Sequence, residues 1–173
     1  MSWRSKGSWQ VSIDTTSLLA SDLQILGLCF LQLNDKANAK VYLDKQLHLL
    51  READEWLYLP SGFNARAAYY WEIGEYVLAQ KDLLEALEIS RRTGARLGEW
   101  ETCINLAQLH FQQGNIAKSK KYLKEMQRVP GMELYRFRDQ QLLMLQNALY
   151  GNNRAECAEL SVMSASGEAA LEG

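Results

Sequence analysis

Apolar residues recur along the chain at intervals of three and four positions, which is the spacing of amphipathic helices. Glycines, prolines and short polar stretches divide this pattern into separate runs. The pattern predicts helices at residues 16–33, 36–52, 60–73, 76–92, 97–113, 116–128, 133–149 and 154–163. The chain is therefore predicted to be all-α.

The helical runs repeat with a period of forty residues. Gly74 aligns with Asn34 one period earlier and with Gly114 one period later. Glycine and asparagine best tolerate the left-handed backbone conformation in which helices end, so each unit is predicted to be helix, tight turn, helix. Such units bury their apolar faces by stacking into a solenoid.

Small and large residues recur with the same period, and the small ones mark points where two antiparallel helices approach closely. The small sets are Gly27, Ala67 and Ala107, and Ala39, Ala79 and Ser119. The large sets are Phe30, Tyr70 and His110, and Leu43, Leu83 and Leu123.

The order of small, aromatic and turn residues in the middle unit resembles the tetratricopeptide repeat, with the unit lengthened beyond the usual ~34 residues. The residues that carry this resemblance are Ala67, Tyr70, Gly74, Tyr76, Ala79, Leu83 and Ala86. The first unit departs from the pattern, with Lys36 and Gln46 where Tyr and Ala are expected. The third unit follows it with softer substitutes, namely His110, Ile116, Ser119 and Met126. The resemblance covers residues 20–128 and implies a right-handed superhelical solenoid of antiparallel helix pairs, with about three repeats and a degenerate C-terminal cap.

The start of the middle unit also resembles the long-unit arrays at the C-terminal end of bacterial signalling NTPases of the NACHT and NB-ARC type. The residues concerned are Leu59, Pro60, Gly62, Ala65, Arg66 and Ala67. The chain contains no G-x-x-x-x-G-K-[ST] stretch, so it would be the sensor or recruitment arm of such a protein and would carry no NTPase of that kind itself.

The length, composition and charge of the chain predict its domain organisation. With 173 residues, 47% of them hydrophobic, and a net charge of −2, the chain is expected to form one domain with no general attraction to nucleic acid or anionic membranes. We expect an N-terminal extension at 1–15, a helical repeat domain at 16–163 and a disordered tail at 164–173, where the sequence is small, polar and acidic.

An apolar stretch at 23–33 follows two basic residues and could be taken for a signal peptide. Polar residues interrupt it, no cleavage box follows, and it is shorter than the ~20 residues of a membrane span. We therefore expect a buried helix. Cys29, Cys103 and Cys157 lie in apolar or alanine-rich surroundings and are expected to be reduced core thiols of a cytoplasmic protein.

Candidate chemistry is sparse. His48 and His110 have no metal-ligand spacing to acidic or cysteine residues, and His110 replaces an aromatic residue in the repeat, so we expect it to pack in the core. No phosphate-binding loop or activated nucleophile is present. The sequence predicts no enzyme, no metal and no cofactor.

A basic segment at 117–138 has a local net charge of +5. It is either a solvated helix face or a docking surface for an acidic partner or nucleic acid. Because exposed aromatic residues do not alternate with the basic ones, nucleic acid is disfavoured.

The candidate binding site follows from the repeat, because the first helix of each pair lines the inside of such a solenoid. Leu31, Trp71 and Phe111 stand one period apart on that face and would form an apolar ladder for an extended or helical peptide. The complete predicted set is Leu28, Leu31, Asn64, Trp71, Glu72, Ile104, Gln108 and Phe111. The alternative is a narrow or covered groove in which these residues belong to the core.

Some members of the family hold a peptide carboxylate with Lys, Asn and Arg on this face. Gln24, Leu28, Glu101 and Asn105 stand at the corresponding positions here, so that clamp is not expected. The sequence thus predicts a cytoplasmic protein- or peptide-binding module, a scaffold or adaptor, with no membrane or nucleic-acid partner, as a monomer or weak homo-oligomer. An NTPase-linked arm and a self-assembling structural solenoid remain open alternatives.

Overall fold

The computed structural model describes residues 15–131 and 140–150, and every regular element within these ranges is an α-helix. The helices are α1 (Thr15–Gln32), α2 (Lys36–Glu52), α3 (Leu59–Glu72), α4 (Tyr76–Thr93), α5 (Arg96–Gln112), α6 (Ile116–Gln127) and α7 (Gln140–Tyr150). The first six form three antiparallel pairs, and each pair packs on the next. The predicted all-α, tetratricopeptide-like solenoid is confirmed.

Helices α1–α6 begin and end within one residue of the predicted positions. For the seventh predicted helix, the structure describes α7, while 132–139 lie outside the described residues. The predicted helix at 154–163, the tail at 164–173 and residues 1–14 of the predicted extension also lie outside them.

A residue in the left-handed conformation ends the first helix of each pair: φ is 60° at Asn34, 83° at Gly74 and 74° at Gly114. In all three turns its N–H donates to the carbonyl three residues earlier at 3.0 Å, and the next N–H donates to the carbonyl five residues before it at 2.8 Å. Asp35 and Asn115 then cap the following helix, each accepting a hydrogen bond from the N–H three residues on. The predicted turns are confirmed.

The predicted close approaches within the pairs are also present. A Cβ atom added at Gly27 would lie 2.7 Å from the Leu43 side chain and 3.4 Å from the carbonyl oxygen of Ala39. In the third pair, the Ser119 hydroxyl donates to the carbonyl of Ala107 at 2.7 Å. The equivalent residues of the middle pair are buried as well. These positions must be small because helix backbones meet there.

A second left-handed position recurs between the pairs, at the ends of α2 and α4. Asp54, with φ of 56°, and Gly94, with φ of 73°, lie one period apart and end α2 and α4. Asp54 was missed because an aspartate in a polar stretch gives no specific signal for a positive φ.

The first and third helix pairs contain the same kind of aromatic stack at the same place in the repeat. His110 is buried and stacks on Tyr122, with ring centroids 5.6 Å apart, and Phe30 stacks on Tyr42 at the equivalent place at 5.3 Å. The prediction that His110 is a packing residue is confirmed. In α7, Leu145 is buried in the same cluster as α5, as predicted for the C-terminal cap.

The middle pair differs from its neighbours at one buried place. Arg66 donates from Nε and Nη2 to the two carboxylate oxygens of Asp82, at 2.7 and 3.0 Å. Its Nη1 donates to Asp44 of α2 at 3.0 Å. The third pair has Leu106 and Tyr122 at the positions of Arg66 and Asp82. A charged pair therefore replaces an apolar one in the centre of the array.

The expectation of a buried helix at 23–33 is wrong in part. Ile25, Leu26 and Cys29 are exposed on α1, and Leu33 is exposed just after its end. The physical reason is position, since α1 is the first described helix and none of the described helices precedes it to pack on its outer side. Cys103 is fully buried as expected, and position 157 lies outside the described residues.

Candidate functional site

A cleft of ≈ 190 Å³ lies between the first helices of the middle and third pairs, α3 and α5. Successive first helices, α1 with α3 and α3 with α5, pack against one another, which places this face on the inner side of the array. The lining residues are Asn64, Ala67, Ala68, Trp71, Glu72, Leu83, Asn105 and Gln108. The structure thus brings together four residues of the predicted set, namely Asn64, Trp71, Glu72 and Gln108.

Two alanines open the cleft. Ala67 and Ala68 of α3 leave space between the two helices, and Leu83 of α4 contributes a buried apolar side chain to the lining. The lining residues of α3 recur at intervals of three and four positions, so they form one stripe along the helix. Ala67 is small as in the other units, whereas Ala68 stands where the first and third units have Leu28 and Gln108, and this shorter side chain leaves room for the cleft.

Hydrogen bonds fix the polar wall of the cleft. Asn64 Nδ2 donates to the hydroxyl oxygen of Thr102 at 2.9 Å, and Thr102 donates to the carbonyl of Gly98 at 2.6 Å. Asn105 Nδ2 donates to Asn64 Oδ1 at 3.3 Å. The Asn64 amide therefore has a defined orientation before any partner arrives. Thr102 and Asn105 were not in the predicted set because their contacts cross between helix pairs.

Trp71 supplies the aromatic surface of the cleft. Its side chain is half-buried against the largest hydrophobic cluster. It also meets the Tyr76 ring edge to face, with centroids 6.2 Å apart and an interplanar angle of 82°. An aromatic ring held on one side and exposed on another is suited to a binding surface, because little side-chain entropy is lost on binding.

The other members of the predicted ladder, together with Leu28, lie outside the cleft. Leu28 and Leu31 are half-buried against the cluster that contains Leu43, and Phe111 is half-buried against the cluster of α5. These three residues are neither fully exposed nor core.

Ile104 is a core residue, and its assignment to an accessible groove is wrong. Its exposed fraction is 2%, and it belongs to the same cluster as Leu145 of α7. The period aligns it with Asn64, which faces the cleft, but the third helix pair is followed by the cap helix α7. The repeat pattern could not show this, because α7 departs from the period.

The titratable groups near the core are poorly suited to catalysis. Burial raises the pKa of the Cys103 thiol to about 12, so the nucleophilic thiolate is scarce at neutral pH. Burial, and to a lesser extent Lys118, lowers the pKa of His110. Within residues 15–131 and 140–150, no three His, Cys, Asp or Glu side chains are grouped so as to hold a metal ion.

The basic segment is described as far as residue 131. Lys118, Lys121 and Lys124 are exposed on α6, and Lys121 lies 3.6 Å from Glu125. Glu125 also accepts a hydrogen bond from Arg91 of α4 at 2.8 Å. The exposed lysines fit a solvated helix face, and the docking interpretation stays a prediction.

The third helix pair is the part of the chain that matches a known family model. Residues 101–128 match a tetratricopeptide repeat model. The matched range comprises most of α5, its left-handed turn and α6. No curated protein matches the chain. The tetratricopeptide repeat match supports a general protein-interaction module, and it carries no information on an NTPase.

None of the helices in the described part of the chain combines the length and the apolar composition that crossing a membrane requires.

Proposed function

We propose that the chain is a protein- or peptide-binding module and that the cleft between α3 and α5 holds a segment of the partner. The observation that carries this proposal is the combination of a half-buried tryptophan with amide side chains oriented by hydrogen bonds, on the inner face of a repeat array. The tetratricopeptide repeat match at 101–128 supports a protein partner in general terms.

The polar lining fits a peptide backbone. Asn105 and Gln108 are one helical turn apart on α5 and face the cleft together. A side-chain amide has both a donor and an acceptor, which is the pair of functions that each peptide unit presents. Amides therefore recognise an extended main chain without fixing its sequence.

The remaining lining gives some sequence preference. Trp71 would contact an apolar side chain of the partner, and exposed Glu72 beside it favours a neighbouring basic residue. A volume of ≈ 190 Å³ accommodates one or two side chains rather than a whole helix. The proposed ligand is thus a short segment that places one apolar residue at Trp71.

The wider role is a scaffold or adaptor in the cytoplasm. The residues that resemble NTPase-linked arrays have a structural role in this chain: Leu59 and Pro60 are buried at the start of α3, and Gly62 allows close approach to Leu47. Packing alone explains these residues, so we rank a recruitment arm of a signalling NTPase second.

The cleft can be tested by selecting random peptides on the intact chain and measuring the dissociation constants of the selected peptides by fluorescence anisotropy. Aromatic anchors commonly contribute ~2 kcal/mol or more, so Trp71→Ala should weaken binding by about 30-fold or more. Trp56→Ala is the matched control. Trp56 is exposed in the turn between α2 and α3, where Arg92 lies 5.3 Å from its ring centroid.

A thermal melt of each variant separates binding from folding. Because Trp71 is half-buried, Trp71→Ala should cost less than the about 3–5 kcal/mol of a fully buried tryptophan, and the variant should remain folded at the assay temperature. Equal affinities for Trp71→Ala and the parent chain would refute the proposed site. Equal losses for Trp71→Ala and Trp56→Ala would do the same.

A further inference from the structure

An open cavity of ≈ 570 Å³ lies between α2 and α3. On α3 it is lined by positions 66 and 70, which lie on the opposite side of the helix from the cleft positions 64 and 68. Most of its lining side chains are charged or titratable. We call this cavity the outer pocket and define it by Lys40, Asp44, His48, Arg51, Glu52 and Arg66.

The three Lys and Arg side chains of the outer pocket differ in how well they are paired. Arg66 donates to Asp44 at 3.0 Å, and Lys40 also donates to Asp44. Arg51 has a weaker partner, since its Nη2 lies 3.5 Å from Glu85, which is longer than the usual 2.7–3.2 Å of such a hydrogen bond. Of the three, Arg51 therefore has the most capacity to bind a further group.

The repeat shows which group Arg51 lacks. Its counterpart one period later, Arg91, donates from Nε to Glu99 and from Nη2 to Glu125, both at 2.8 Å. The acceptor for Nη2 is present at the same repeat position in both places. The acceptor for Nε is not, because Leu59 stands one period before Glu99, and its buried apolar side chain cannot accept a hydrogen bond. The missing group is a carboxylate.

An aromatic ring positions the Arg51 guanidinium. Its Cζ lies 5.1 Å from the centroid of the Phe63 ring, and Phe63 is fully buried. The Arg51 side chain is 49% exposed, so a partner can reach it. A guanidinium held on a fixed ring loses little freedom when it binds a carboxylate.

The acidic side chains of the outer pocket favour a ligand of low negative charge. Asp44 and Glu52 line the same cavity as Arg51. They repel a phosphate group, which carries nearly two charges, more than they repel a single carboxylate. The tetratricopeptide repeat match at 101–128 supports a protein as the source of that carboxylate.

We propose that the outer pocket binds an acidic side chain of a partner protein, whose carboxylate accepts a hydrogen bond from Arg51 Nε. This carboxylate takes the place that Glu99 has beside Arg91. The bond is charge-assisted and directional, so it contributes to affinity and to orientation. The chain then contacts partners through the outer pocket as well as through the cleft between α3 and α5.

The test is NMR of the intact chain labelled with nitrogen-15, in which each arginine Nε–H group gives its own signal. The signals of Arg51 and Arg91 are those that vanish in Arg51→Lys and Arg91→Lys. The probe is a short blocked alanine-rich peptide with one central glutamate, and the matched probe has glutamine at that position. The glutamate peptide should shift the Arg51 signal saturably, and the glutamine peptide should not. The Arg91 signal should stay in place, because Glu99 already accepts from its Nε.

Arg51→Gln removes the proposed donor and should weaken binding of the glutamate peptide about tenfold or more, measured on the backbone amide signals of α2. Arg92→Gln is the matched control and should leave the affinity unchanged. Arg92 is also an exposed arginine, but it lies over the Trp56 ring and outside the pocket. A thermal melt checks the folding of Arg51→Gln, and the comparison of the two peptides on the parent chain does not depend on that variant.

Inorganic phosphate and acetate complete the experiment. Both should bind more weakly than the glutamate peptide, phosphate because of its charge and acetate because it lacks the residues that flank the glutamate. The proposal is overturned if Arg51 shows no saturable shift, if the glutamine peptide acts equally, or if phosphate or acetate binds as tightly. Trp71→Ala should retain this binding, since Trp71 does not line the outer pocket, so the two proposed sites can fail independently.

Discussion

The buried charged pair of the middle unit allows a quantitative prediction. Removing the Asp82 carboxylate by Asp82→Ala takes away two charge-assisted hydrogen bonds from Arg66, of 2.7 and 3.0 Å. The guanidinium would then remain in a largely buried place, since the Arg66 side chain is 18% exposed and that of Asp82 is 6% exposed.

The size of the stability loss depends on the interactions that Arg66 keeps in the Asp82→Ala variant. Deleting one partner of a fully buried ion pair costs about 3–5 kcal/mol. Arg66 keeps a hydrogen bond to Asp44 at 3.0 Å and some contact with water, which reduces the penalty. We therefore expect Asp82→Ala to lower the free energy of unfolding by about 2–3 kcal/mol. If Arg66 lost its hydrogen bond to Asp44 as well, the loss of stability would approach about 5 kcal/mol.

The neighbouring unit provides the compensating variant. Leu106 and Tyr122 occupy the equivalent positions in the third pair, so Arg66→Leu with Asp82→Tyr converts the middle pair to that composition. Each single substitution leaves one buried charge without its main partner. The double variant removes both charges and allows Tyr at 82 to stack on Tyr70, as Tyr122 stacks on His110. Its stability should lie within about 1 kcal/mol of the parent.

The assay is urea unfolding monitored by circular dichroism. It compares the parent with Asp82→Ala, with the single variants Arg66→Leu and Asp82→Tyr, and with the double variant that combines these two. The coupling free energy between positions 66 and 82 should be at least about 2 kcal/mol. The reasoning is refuted if the single variants are as stable as the parent, or if the double variant loses the sum of the two single losses.

Three further predictions concern the turn, the close approach and the buried histidine. Gly74→Ala should lower the free energy of unfolding in urea by about 1–2 kcal/mol, because φ at Gly74 is 83°. Asn34→Gly should be neutral or stabilising, because glycine adopts this conformation more readily than asparagine. The turn assignment would be contradicted if Asn34→Gly destabilised the protein more than Gly74→Ala. Ala79→Leu overpacks a fully buried crossing and should cost about 1–3 kcal/mol, so an unchanged melting temperature would contradict it. The folded pKa of His110 lies below its unfolded value, so its contribution to stability is present above about pH 6.5 and is lost as the pH falls through the folded pKa. His110→Phe should make the melting temperature less sensitive to acid in this range, and an unchanged pH profile would count against the buried neutral imidazole.

The sequence was sufficient for the parts of the fold that depend on local spacing. The helix limits, the left-handed turns and the small residues at the crossings all follow from one period, because each pair solves the same packing problem. Gly27 and Ser119 illustrate this, since each was assigned from its aligned neighbours and each lies at a helix crossing.

The parts that the sequence did not predict depend on what lies beside a unit rather than within it. Ile104 is aligned with Asn64 but is buried in the cluster that includes Leu145 of α7, and Ile25 is aligned with Ala65 but is exposed on the first described helix. The link from Arg66 to Asp44 and Asp82 joins three helices, and residue spacing along one helix does not show such a link.

The two sets of left-handed residues have a consequence for how the array could change in length. Residues 55–94 form a segment of forty positions that begins just after Asp54 and ends at Gly94. Asp54 and Gly94 have nearly the same φ, 56° and 73°. A duplicated copy of this segment could therefore be joined in frame after Gly94 with no new backbone geometry at the junction. Such an insertion would add one helix pair and move the two ends of the molecule apart by one unit, while the turns on either side keep their hydrogen bonds. Array length can thus vary by whole units through simple duplication.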